Sequence, residues 1–169
     1  MPRTLLLLAL LTLGGAQSAP AQLQVQGLRD LAFGMVVGGV PKAVSPDDPD
    51  SGLFRIDAAI GDRLRVRFTL PSALVGPGGA TMPISFGGGD GRAQGTAPSS
   101  TPLYFNPRGT QNWRLVTSAT VLVNLGGTVS PGPALPAGIY SNTIALTLLA
   151  LCPPSPLPPW PCPCPRRTS

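Results

Sequence analysis

Apolar and polar residues alternate along residues 63–70. Leu64, Val66, Phe68 and Leu70 fall on one side of an extended chain, and Arg63, Arg65, Arg67 and Thr69 on the other. Strict alternation of this kind predicts a half-buried β-strand. Burying each of those four apolar side chains contributes roughly 1.5–3 kcal/mol. A slip of one residue would bury guanidiniums instead, so the register is firmly set. The same period recurs in residues 119–125, through Val121, Val123 and Leu125. It is longest in residues 139–151, with Tyr140, Ile144, Leu146 and Leu148 on one face and Ser141, Thr143, Ala145 and Thr147 on the other. Shorter strands are predicted at 53–60, 82–86, 103–105 and 113–117. One or two more are expected within 28–37, where Gly34 marks a bulge or a close backbone approach.

Between these runs lie Gly/Pro-rich stretches. Residues 40–50, 76–79, 87–91, 93–100 and 126–138 are expected to be loops or turns, as is the Asn106-Pro107-Arg108-Gly109 step. Asp57 and Asp62 flank Gly61 in what reads as a hairpin turn. No segment after the first residues shows helical periodicity, and Gly and Pro recur too often for helix interiors. No internal repeat is found. Short strands separated by such turns predict an all-β fold, an antiparallel sandwich or barrel.

The two ends depart from this pattern. Arg3, an apolar run over 5–13 and small residues ending Ala19-Pro20-Ala21 have the layout of a signal peptide, 1–21. Pro20 disfavours cleavage after Ala19, so the expected mature N-terminus is Gln22. The leader falls short of the ~20 apolar residues that span a bilayer. An exported protein is expected, placed outside the cell, on its surface or in the periplasm, with one domain over 22–151. Residues 152–165 contain eight prolines and begin a tail, 152–169, expected to be extended or disordered.

Charge changes the picture little. Of twelve basic residues, Arg3, Arg166 and Arg167 lie in the leader and tail, leaving nine against seven aspartates in the domain. Nucleic-acid binding needs a clustered basic patch with stacking aromatics and is not expected. The stripe Arg63, Arg65, Arg67 reads as the wet face of a strand.

The candidate chemistry is sparse. The chain has no histidine and no glutamate. A nucleophilic triad therefore has no imidazole base, and a Ser–Lys pair would need Lys42, in a Pro-flanked loop. Asp47, Asp48 and Asp50 lack EF-hand spacing and its closing Glu. The glycine run at 87–91 lacks the Lys-Ser/Thr of a phosphate loop. Cys152, Cys162 and Cys164 all lie in the tail, an odd number with no metal-ligand spacing. No catalytic residues, cofactor or metal are expected. Tyr104, Phe105 and Trp113 are the candidate ligand contacts, either a sugar-stacking platform or core packing; Trp160 in the tail has no core to enter.

One stretch carries a family likeness. Leu125-Gly126-Gly127-Thr128-Val129, followed by Pro136-Ala137-Gly138-Ile139-Tyr140-Ser141-Asn142-Thr143-Ile144-Ala145-Leu146-Thr147, resembles the closing section of a family of bacterial secreted domains of unknown function. That family is related to spore coat protein U and fimbrial-type domains. Leu31-Ala32-Phe33-Gly34 looks like its opening strand, and residues 54–71 like its central pair. The resemblance implies an Ig-like β-sandwich belonging to secreted, surface or pilus-like assemblies. The chain departs from the family in its Pro/Cys tail and in lacking the disulfide of many fimbrial subunits. Gly138 is expected to let the chain turn into the last strand. Tyr140 is expected to bury its ring and bond a loop carbonyl, as in a tyrosine corner. The expected function is that of a non-catalytic structural or surface-interaction protein. Its partners would be other copies or envelope proteins, met by strand pairing. The alternative is a carbohydrate-binding or adhesive module.

Overall fold

The computed structural model describes residues 23–115 and 118–151. The leader, the tail, Trp160 and the three cysteines lie outside them. The described chain is all-β, with one short 3-10 turn at Pro77–Gly79. Every strand pairing is antiparallel.

In chain order the strands are β1 (Gln24–Arg29), β2 (Lys42–Val44), β3 (Gly52–Asp57), β4 (Arg63–Thr69), β5 (Ala73–Val75), β6 (Thr81–Ser85), β7 (Gly91–Gly95), β8 (Leu103–Phe105), β9 (Gln111–Arg114), β10 (Thr120–Leu125), β11 (Gly127–Val129) and β12 (Ala145–Leu151). A five-stranded sheet runs β1-β3-β10-β7-β8, a four-stranded sheet β2-β11-β6-β5, and a three-stranded sheet β12-β4-β9. β10 passes into β11 through Gly126, so one extended stretch serves two sheets. β4 and β5 are separated only by the Pro71 turn, and Ser141 bridges Val75 before the chain enters β12.

The alternation read from 63–70 is reproduced in β4: Leu64, Val66 and Phe68 are buried and the intervening arginines exposed. β10 behaves likewise, with Val121, Val123 and Leu125 inside. A single core cluster joins these to Ile56 of β3, Met82 and Ile84 of β6 and Val129 of β11. The five-stranded and three-stranded sheets meet through aromatic rings. Phe54 of β3 meets Phe68 of β4 edge-on at 5.7 Å between centroids, and Phe68 stacks on Phe105 of β8 at 6.2 Å. This arrangement is consistent with the expected β-sandwich.

Several expectations are corrected. Residues 30–37 hold no strand; the first strand lies earlier, at Gln24–Arg29, and its register shift falls between Gly27 and Arg29 instead of at Gly34. β3 stops at Asp57, leaving Ile60 exposed. Gly61 does not close a hairpin: β3 and β4 belong to different sheets, so this turn carries the chain across the core. Expected loops contain strands: β2 lies within 40–50 and β11 within 126–138, and β7 runs from the end of the expected 87–91 turn into the expected 93–100 loop. The last strand begins only at Ala145.

Candidate functional site

A cleft of about 850 Å³ runs along one side of the molecule. One wall is β1 with the irregular segment after it, including Val25, Leu31 and Phe33; the other is the start of β12 and its approach, including Ile139, Ile144 and Leu146. Phe54 of β3 lines it between them. Its position follows from the sheet orders. β1 is an edge strand paired only with β3, and β12 is an edge strand paired only with β4. Two sheet edges therefore flank a groove whose apolar side chains are joined by Arg29, Asp30 and Asn142.

The β1 wall is lightly held. All six residues of the strand are exposed, including Val25 and Leu28. Its end is fixed by Arg29, which donates from Nε to the Ser51 carbonyl at 2.8 Å and from its terminal nitrogen to Ser51 Oγ at 3.1 Å. Ser51 is fully buried and also accepts from Asn124 Nδ2 at 3.1 Å. The opposite wall is anchored by Asn142, whose Nδ2 donates to the Ala73 carbonyl at 2.7 Å.

Tyr140 sits in this second wall. Its ring packs against the core and its hydroxyl donates to the Pro136 carbonyl at 2.8 Å, the local bond expected of a tyrosine corner. Two glycines make room for it: a Cβ on Gly76 would overlap the Tyr140 ring, and one on Gly138 would overlap the Pro77 ring. The Gly138–Tyr140 step thus seats the chain against the 3-10 turn before β12 starts.

The three aromatics expected as ligand contacts do not share a surface. Phe105 is buried and meets Trp113 edge-on at 5.3 Å, inside the core cluster. Trp113 Nε1 is buried without a hydrogen-bond partner among the described residues. Tyr104, the neighbour of Phe105 on β8, points out and is half exposed. Period-two geometry separates Tyr104 from Phe105.

Tyr104 instead joins a polar cluster. Its hydroxyl donates to Asp47 at 2.9 Å, and Arg92 Nε lies 3.0 Å from the same carboxylate as an ion pair without hydrogen-bond alignment. The Asp47 carboxylate holding its proton, helped by some desolvation, pushes the Tyr104 phenol above its ordinary range. The other acidic candidates serve local structure. Asp48 and Asp90 accept from the backbone amides of Ser45 and Gly87, and Asp62 from Ala59. Asp57 pairs with Arg55 at 2.9 Å and accepts from Thr120 Oγ1 at 2.6 Å. Lys42 donates to the Met35 carbonyl. No group of three metal-ligating side chains occurs among the described residues. None of their helices is long and apolar enough to cross a membrane.

Compared with protein-family models, curated proteins and solved structures, the chain matches none. The likeness to secreted and fimbrial-type domains rests on the residues quoted for it above. The cleft itself had no signal in the sequence, since its two walls lie far apart along the chain and each reads there as an ordinary strand or loop.

Proposed function

We propose that this is a non-catalytic, exported structural or surface-interaction protein of Ig-like type that associates by strand pairing, as a pilus-like or coat-like subunit would. The observation that carries the reading is the cleft, with apolar side chains on both walls, flanked by the edge strands β1 and β12. Unpaired edge groups template strand addition, and pockets beside the edge select alternate apolar side chains. The partner is a second copy of this chain. The chain carries its own apolar strand element: Leu23 and Val25, at alternate positions beside and within an edge strand that is exposed along its whole length, present apolar side chains on one side at strand period. Export is the sequence expectation from the leader, and five of the domain's seven aspartates, Asp47, Asp48, Asp57, Asp62 and Asp90, are engaged in turns or ion pairs.

The test is light scattering after size exclusion, on protein beginning at Gln22, across a wide concentration range. Concentration-dependent association is expected. Val25→Lys, at an exposed position on the cleft wall, is expected to suppress it while leaving the circular-dichroism spectrum unchanged. A wild-type protein that stays monomeric at high concentration would refute the proposal. The adhesive alternative through Tyr104, Phe105 and Trp113 is not favoured by any observation, because two of those rings are committed to the core.

A further inference from the structure

The three-stranded sheet β12-β4-β9 has an outer face whose charge the fold leaves unbalanced. Residues directly opposite one another in an antiparallel pair share a face. The register places Arg63 opposite Arg114 of β9 and Leu151 of β12, Arg65 opposite Asn112 and Leu149, and Arg67 opposite Thr147. All four arginines are exposed. None of the chain's aspartates lies on these three strands. The remainder of the domain holds Arg29, Lys42, Arg55, Arg92 and Arg108 against all seven aspartates. Positive charge is therefore segregated onto one face, while the rest of the domain is net negative.

Folding does not account for this. Like charges directly opposite across a strand pair are destabilising, and Arg63 and Arg114 occupy such a pair. The Arg–Asp ion pairs among the described residues, Arg55–Asp57 and Arg92–Asp47, lie elsewhere. On this face Arg65 has only a 3.3 Å contact from Nε to Asn112 Oδ1. The arginine positions of β4 recur every second residue, about 7 Å apart along the strand. Each presents a planar fork suited to bidentate capture of carboxylate or sulfate.

We infer that this arginine face is a docking surface for a linear acidic polysaccharide, carboxylated or sulfated. Cations at every second position of one strand match an extended polymer with charges at regular intervals. Single-stranded nucleic acid wants exposed aromatics for base stacking, and the one aromatic of β9, Trp113, is turned to the core. A membrane surface wants large apolar side chains beside the cations, and here Leu149 is the only well-exposed one. The site is on a different face from the cleft wall and does not depend on strand pairing.

The experiment is binding to immobilised heparin and polygalacturonate, with duplex DNA and anionic phosphatidylglycerol vesicles as competing surfaces. Binding to at least one glycan is expected, weakening steeply as salt is raised. Arg114→Gln is expected to weaken it about tenfold, in line with loss of one charge-assisted contact. The same change is expected to leave the melting temperature equal or higher, because it relieves the Arg63–Arg114 opposition. The quadruple variant R63Q/R65Q/R67Q/R114Q is expected to abolish binding. No glycan binding at low salt, binding undiminished in the quadruple variant, or preference for DNA or vesicles over both glycans would each overturn the inference.

Discussion

Two side chains show how little of a residue's role lies in its type. Tyr104 and Phe105 are adjacent aromatics on β8, yet one is packed between Phe68 and Trp113 and the other meets solvent and Asp47. The Tyr104 phenol is neutral when protonated, and the fold raises its pKa above 10.0. The fold therefore favours the protonated form. That stabilisation is fully present below about pH 10 and is lost as pH rises through the raised value. Asp47→Asn removes the main cause. An ultraviolet phenolate titration should then show Tyr104 ionising at lower pH than in the wild type, with Tyr104→Phe used to assign the signal. At Gly76 the constraint is steric. Gly76→Ala should destabilise the domain by about 1–3 kcal/mol, as overpacking does. The cost should fall sharply in a Tyr140→Ala background, because the Cβ then has no ring to meet. Paired denaturation midpoints measure that coupling.

Strands form here for two different reasons. β4 and β10 alternate so cleanly that burial alone specifies them. β7 has the sequence Gly-Arg-Ala-Gln-Gly and no such signal, yet it sits between β10 and β8. Its smallness is what the position needs: a Cβ on Gly91 would come within 2.6 Å of the Phe105 ring. β2 and β11, three residues each, are likewise set by their partners instead of by their own composition. Strength should differ among elements accordingly. β10 is paired on both sides and buried at alternate positions; β1 is paired on one side and exposed throughout. Hydrogen exchange should find β1 amides opening with a far smaller free energy than those of β10. Equal protection of the two strands would contradict this account of β1 as a lightly held edge.

At the scale of the whole molecule, one apolar cluster links the three sheets, so the described domain should unfold as a single cooperative unit. Far-ultraviolet circular dichroism and Trp113 fluorescence, read in a Trp160→Phe background, should give coincident transitions. Separated midpoints would mean that the sheets open independently. The same architecture produces both surfaces proposed for binding. Two unpaired edges lie either side of a cleft, and the polar face of β4 gains a fourth arginine from β9.

The alternation of residues 63–70 and 119–125 determined, by itself, that the chain is extended and which side chains turn inward. Burying arginine instead of leucine is too costly for any other register. Gly, Pro and the absence of helical period settled the all-β class in the same local way. Tertiary structure alone decided that the Gly61 turn crosses the core, that β7 is a central strand, and that Tyr104 and Phe105 part company. It also decided that Arg114 faces Arg63 and that β1 and β12 leave a groove between them. Each of these depends on which distant segment lies alongside, and side-chain period carries no information about the neighbour across the sheet.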